Sequence, residues 1–485
     1  MPTPEVSWLA ILPELVLALA AVAVLLAEVQ WKPPARVLGF VAGTGLLLTG
    51  AATLWQWRRA MDVLDSGVAS DLVAFSGMIF VDGFAVFARM ALVVVTALGL
   101  VSAWSLLERS GTRRAEAIAL VLLATAGFSI MVASNNLVML FLGLEVGSIA
   151  LYVLAGFTRD SLRSDEAAIK YFLLGSFASA IFIYGVALLY AGTGQLEIVG
   201  LRGFFATLLV LRPGVILVGL GLVIVGLAFK VSAAPFHTWA PDVYQGAPAG
   251  LVGYMAAMAK IAGFAAIARI LITGLSELEA DWLPIVATLS VLSMLVGSVL
   301  ALVQSDVRRL LAYSGVAHAG FIMTGIVGGV TDGILFYVAA YALQLVGAFA
   351  VVAEVGGPGG TESPIDDYRG LARRSPGLAA AFTVLLLGMA GLPLTSGFVA
   401  KFGVFANAWN VGYQWLVIVA VLASVIAFAF YLRVIVVMYM DEVAGDSVVV
   451  SRAGGWVLAL TVAATVAWGV FPGLLIDLVA NAFAL

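Results

Sequence analysis

Apolar runs of about 20 residues recur along this chain from end to end, each long enough to cross a hydrocarbon core of about 30 Å. Of its 485 residues, 63% are hydrophobic and 11% charged, against about 45–50% and about 25% in a soluble domain. The fold class that follows is an all-α polytopic membrane protein. The first run, Trp8 to Ala27, lacks a basic leader and carries Pro13 and Glu14, so it reads as a retained helix rather than a cleaved signal.

Polar breaks divide the chain into about 14 transmembrane helices, predicted near 8–28, 37–57, 83–107, 115–133, 135–157, 167–190, 214–240, 248–272, 283–303, 309–329, 331–354, 377–411 (interrupted), 413–438 and 454–478. The stretch 198–209 is too short to cross and is expected to lie along the membrane. Asp62 to Gly77 reads as an external loop or small hairpin. Most loop arginines follow odd-numbered spans, whereas Arg58, Arg59, Arg202, Arg212 and Arg269 follow even-numbered ones. The excess of positive charge marks cytoplasmic loops, which places both termini on the external side of a multi-pass protein.

Composition also excludes function classes. Cysteine is absent, which removes disulfides and thiolate or iron–sulfur ligation. Two histidines, His237 and His318, make no metal site alone, and no Gly-rich phosphate loop follows a strand. A net charge of −4 implies no nucleic acid partner.

The lysines carry the functional signal. Of 24 basic residues only five are lysines, and four of these, Lys170, Lys230, Lys260 and Lys401, fall inside apolar runs. Arginine stays protonated in proteins, whereas a buried lysine can release its proton, with pKa values down to about 5–6. Glu145 lies near the centre of the fifth span. An ionisable group at midplane costs about 2.5–3.5 kcal/mol even on the lenient scale, so this set reads as a proton path. Lys170 is expected near the cytoplasmic end of its helix, where a lysine can also snorkel. His237 and His318 suit proton relay or helix packing.

Two helices are expected to be broken. Pro235 follows Lys230 by five residues, and Pro393 precedes Lys401 by eight. Proline frees carbonyls, tolerated in a membrane only against protein or water. The breaks lie five spans apart, which predicts two inverted five-helix repeats with ion sites at the breaks. The domains expected are helices 1–3 in 1–110, the first repeat in 111–275, the second in 280–440 and a final helix in 441–485.

The stretch Phe236-His237-Thr238-Trp239-Ala240-Pro241-Asp242-Val243-Tyr244-Gln245-Gly246-Ala247-Pro248 resembles the signature of the antiporter-like subunits of complex I, the respiratory NADH–quinone oxidoreductase. Asp242-Val243-Tyr244-Gln245-Gly246-Ala247-Pro248 resembles the subunit N form rather than its L and M relatives, and the likeness extends through Asn136–Glu145, Ala168–Ser176 and Ser396–Phe402. The chain is also expected to stop just after its last span, without the long lateral helix of subunit L. The resemblance implies that Glu145 pairs with Lys230, that Lys260 is the central lysine, that Lys401 lies on the exit side, and that Lys170 and His237 belong to the same hydrophilic axis. It implies a translocase subunit with no redox centre of its own. NADH, FMN, iron–sulfur clusters and quinone would then belong to partner subunits, in a prokaryotic cell membrane. The eleventh span has Gln344 and no lysine, so the repeats are expected to differ chemically. The alternatives are a multi-subunit cation–proton antiporter, a membrane hydrogenase subunit, or a passive scaffold.

Overall fold

The computed structural model describes residues 7–66, 73–111, 113–158, 161–207, 213–329, 331–356, 362–443 and 445–482. Among the described residues, twelve helices are long and apolar enough to cross a membrane. Two more crossings are interrupted: the seventh, Pro213–Lys230 with Trp239–Gly246, and the twelfth, Pro376–Ala390 with Ser396–Asn410. The expected fourteen spans are thus present, in an almost wholly helical chain.

Polar side chains start several helices where the sequence turns back. Asn136 accepts hydrogen bonds from the amides of Val138 and Met139 at the head of the fifth span, Leu137–Ala155. Asp306 does the same for Arg308 and Arg309 at the head of the tenth, Val307–Val327. Each cap satisfies amides that a helix N-terminus leaves free. The fourth span, Arg113–Ala133, lies against the fifth across glycines. A Cβ at Gly127 would strike the backbone of Gly147, and one at Gly143 would lie 2.6 Å from the Met131 amide nitrogen. Small residues allow this backbone approach.

The two five-helix units share a backbone device. The Leu137 amide donates to the Leu196 carbonyl at 2.9 Å, and the Ile198 amide to that of Asn135 at 2.6 Å. In the second unit the Val307 amide donates to Ser363 at 2.8 Å, and the Ile365 amide to Ser305 at 2.9 Å. In both, the turn before the second helix is stitched to the segment after the third. Five crossings per unit invert the second relative to the first.

The eighth span (Ala249–Gly274), the tenth and the eleventh (Thr331–Gly356) are almost wholly buried and form the centre. The first, second, sixth, thirteenth and fourteenth spans are less than half buried and form the periphery. Lys260, His318 and Gln344 therefore sit on the three most enclosed helices.

Several boundaries differ from expectation. The sixth span begins at Leu162 and runs 32 residues to Thr193, so Lys170 lies deeper along its helix than predicted. The third span ends at Ser102, before a separate short helix, Trp104–Arg109. The last span, Arg452–Val470, stops before Pro472, and a further helix, Gly473–Ala482, follows it. The hairpin pairs Val73–Ala74 with Ile79–Phe80. Residues 67–72 of that segment, and Arg159 and Arg212, lie outside the described residues. The expected surface helix is Ile198–Thr207. Arg269 is not in a loop. It lies in a π-helical turn, Ala268–Gly274, that prolongs the eighth span.

Candidate functional site

At the first break the regular helix ends on Lys230, and Ser232 takes a left-handed conformation, φ 52°. The interruption turns a carbonyl away from helical pairing. Lys260, 1% exposed on the eighth span, uses it. Its Nζ donates to the Val231 carbonyl, to Ser232 Oγ at 2.8 Å and to the Gly315 carbonyl at 2.8 Å. An ammonium has three donors and no acceptor, so all three are satisfied. The acceptors come from the first break and from the tenth span, which ties the two repeats together through one lysine.

Lys230, where the regular helix ends, is also buried. Its Nζ donates to Ser148 Oγ at 2.7 Å and lies 4.7 Å from the Phe128 ring centroid, a cation–π contact. Ser148 in turn donates to Leu144 at 2.5 Å. Glu145, one helical turn before Ser148, accepts from Ser179 Oγ. The expected direct Glu145–Lys230 ion pair does not form in this structure. Ser148 takes the Lys230 hydrogen bond, and Glu145 bonds Ser179 instead.

His237 lies just beyond the first break, half-buried. Its Nδ1 is buried without a hydrogen-bond partner among the described residues, and its ring centroid is 6.1 Å from that of Tyr313. His318 is more enclosed. Its Nδ1 shares a hydrogen bond with the Tyr337 hydroxyl at 2.9 Å and its Nε2 with that of Tyr431 at 3.3 Å, and the ring stacks on Tyr341 at 4.1 Å. The Tyr431 hydroxyl also bonds Ser314 Oγ. Ser314 precedes Gly315, the Lys260 acceptor, so hydroxyls link the Lys260 site to His318.

At the second break Gly391 takes φ 87° and Leu394 φ 69°. Lys401, buried on the far half of the same interrupted span, donates back to the Ala390 carbonyl at 2.9 Å and lies 4.5 Å from the Phe321 ring centroid. Phe321 meets His318 edge-on at 5.7 Å. Gln344 donates to Ser396 Oγ at 3.0 Å across this break.

Lys170 stands apart from the buried set. Its side chain is 40% exposed and pairs with Glu166 at 2.5 Å and Asp242 at 2.7 Å. The structure thus gathers Lys230, Lys260, His318 and Lys401 in the interior, Glu145 and His237 at its edges, and Lys170 at a half-exposed charge cluster.

Sequence reasoning misses Ser148, Ser314, Tyr337 and Tyr431. A mid-span tyrosine or serine looks like core until its hydroxyl partner is known. It also misses two buried ion pairs away from the axis. Arg89 binds Glu14 at 2.7 Å, and Arg269 binds Asp82 at 2.5 Å between the rings of Phe80 and Phe84. These helix-interior arginines are neutralised by carboxylates distant in sequence. Among the described residues no group of three or more His, Asp or Glu could hold a metal ion.

Fold and site together define an antiporter-like membrane protein with a lysine at each broken helix. The family described as NADH:quinone oxidoreductase/Mrp antiporter, TM matches residues 134–427. NADH-quinone oxidoreductase subunit N 1 of Solibacter usitatus is 39% identical over 473 residues, 96% of this chain and 95% of that protein. A chain of respiratory complex I from Thermus thermophilus superposes with a TM-score of 0.82 at 32% identity, covering 97% of this chain and 99% of that one. A chain of an archaeal membrane-bound sulfane sulfur reductase gives a TM-score of 0.85 at 25% identity, covering 98% and 97%. The chain belongs to the NADH:quinone oxidoreductase/Mrp antiporter transmembrane family.

Proposed function

We propose that this chain is the N-type, proton-translocating membrane subunit of a respiratory NADH–quinone oxidoreductase. Electron transfer from NADH to quinone takes place in partner subunits that carry the FMN and iron–sulfur clusters, and this chain is a translocase component without a redox centre. It sits in a prokaryotic plasma membrane with both termini outside. Its working parts are the repeats in 111–275 and 280–440, flanked by helices 1–3 in 1–110 and the C-terminal helices in 441–485.

The carrying observation is Lys260, enclosed on the eighth span yet bonded to the first break and to the opposite repeat. A lysine in such a place can hold or release a proton, and neighbouring charge decides which. In the path proposed, the field of Glu145 favours the charged form of Lys230. When that field is withdrawn, the proton passes by water and His237 to Lys260. The Ser314–Tyr431–His318 hydroxyl and imidazole groups then lead toward Lys401 and the external side. Lys170 serves the cytoplasmic side.

Affinity purification of the chain from gently solubilised native membranes tests the assignment. Flavin and iron–sulfur subunits with NADH–quinone activity are the expected companions. Membrane partners alone, with sodium-driven proton exchange after reconstitution, would overturn it in favour of a cation–proton antiporter.

A further inference from the structure

The short helix beyond the first break, Trp239–Gly246, is held by charges from two other spans. Asp242 Oδ2 lies 2.7 Å from Lys170 Nζ on the sixth span, and Oδ1 lies 2.7 Å from Arg309 Nη1 on the tenth. One carboxylate thus joins a cation from each repeat. The neighbouring Arg308, fully buried, donates from Nη1 to the Gln245 carbonyl at 2.5 Å. That carbonyl belongs to the C-terminal turn of the short helix, where a cation is favoured.

Each partner of Asp242 already has a second acceptor. Lys170 also pairs with Glu166 at 2.5 Å. Arg309 also donates to Gln245 Oε1 at 3.2 Å and to Gln304 Oε1 at 3.3 Å. Without Asp242, Lys170 would keep the Glu166 carboxylate and Arg309 the amide oxygens of Gln245 and Gln304, so neither cation would lose every acceptor. The Nε and Nη2 of Arg308 have no partner among the described residues, so this guanidinium has donors free for a displaced helix end. The three ion-paired side chains are 28–40% exposed, which leaves the cluster open to water at the end that the charge asymmetry assigns to the cytoplasm.

We infer that Asp242, clamped between Lys170 and Arg309, is a positioning residue that holds the short helix and His237 in place, and that Glu166, which shares Lys170 with it, sets how firmly the sixth span grips this helix at the cytoplasmic mouth of the path. The inference rests on the proton-path reading above. Asp242 carries no proton in it and acts through the helix it anchors.

The test uses the whole complex reconstituted in liposomes, with NADH-driven acidification measured for Glu166→Gln, Asp242→Asn, Asp242→Glu and Lys260→Ala. Glu166→Gln leaves the Asp242 clamp closed but removes the carboxylate that shares Lys170 with it. Pumping is expected to fall about two- to five-fold at an unchanged amount of complex, the modest size expected of an exposed ion pair. Asp242→Asn is expected to lower it further, and Asp242→Glu to restore most of it. A purely structural salt bridge predicts no effect of Glu166→Gln, because Lys170 still holds Asp242. Normal pumping in Glu166→Gln with Lys260→Ala inactive would overturn the clamp and leave the path standing. Normal pumping in Lys260→Ala would overturn the path itself. Glu166 is an exposed surface residue, so its variant remains informative even where an Asp242 variant fails to assemble.

Discussion

The two broken helices use one backbone device with different chemistry. At the first break the freed carbonyl of Val231 receives a lysine from another helix, Lys260 of the eighth span, which also binds the tenth. At the second, the carbonyl of Ala390 receives Lys401 from the far half of its own interrupted span. The first site therefore couples three elements and both repeats, whereas the second closes on itself. The helix opposite the second break offers Gln344, an amide that does not titrate. In the proposed path, the first break would pass charge between helices and the second would be a terminal station beside one lysine.

The largest expected effect separates charge from proton release. Lys260→Arg keeps a cation at the first break, but arginine does not give up its proton. NADH-driven pumping should fall at least about ten-fold, corresponding to roughly 1.4 kcal/mol or more on the barrier. Pumping near the normal rate would mean that the site needs only positive charge, and the contrast between the breaks would lose its basis.

Lys401→Gln should be milder. The amide can still donate to the Ala390 carbonyl, and the site is not shared between repeats. A fall of about three- to five-fold in pumping, near 1 kcal/mol, is expected. A loss equal to that of Lys260→Arg would make the two breaks equivalent.

The smallest effect is expected between the two sites. Tyr431→Phe removes the hydroxyl that joins Ser314 to His318, a change of roughly 0.5–1.5 kcal/mol in hydrogen bonding. Pumping should fall about two-fold, and in a His318→Phe background the Tyr431→Phe change should have no further effect. Additive losses in the double variant would show that the hydroxyl and imidazole act separately.

Much of this architecture is legible in the sequence. Apolar runs of membrane length give the helix count, and Pro235 and Pro393 mark both breaks because proline cannot continue the hydrogen-bond ladder. The lysines stand out because charge in an apolar run is costly. What stays hidden depends on which side chains meet across the bundle. Ser148 takes the contact expected of Glu145 at Lys230, and nothing in either span's sequence ranks the two. Lys170 falls in an apolar run, yet its helix starts at Leu162, earlier than hydropathy suggests, and its side chain reaches Glu166 and Asp242 at the rim. Arg89 and Arg269 are in helix interiors because Glu14 and Asp82, far away in sequence, neutralise them. The helix Gly473–Ala482 merges into the last span by hydropathy, because Phe471-Pro472 interrupts an apolar stretch without a polar gap.

The central claim is that Lys260 carries protons where the first break meets the second repeat. Its most direct test is the number of protons moved per electron pair by the Lys260→Ala complex, assembled with all subunits and reconstituted in liposomes. A lowered stoichiometry with assembly retained is the predicted result. An unchanged stoichiometry would contradict the account.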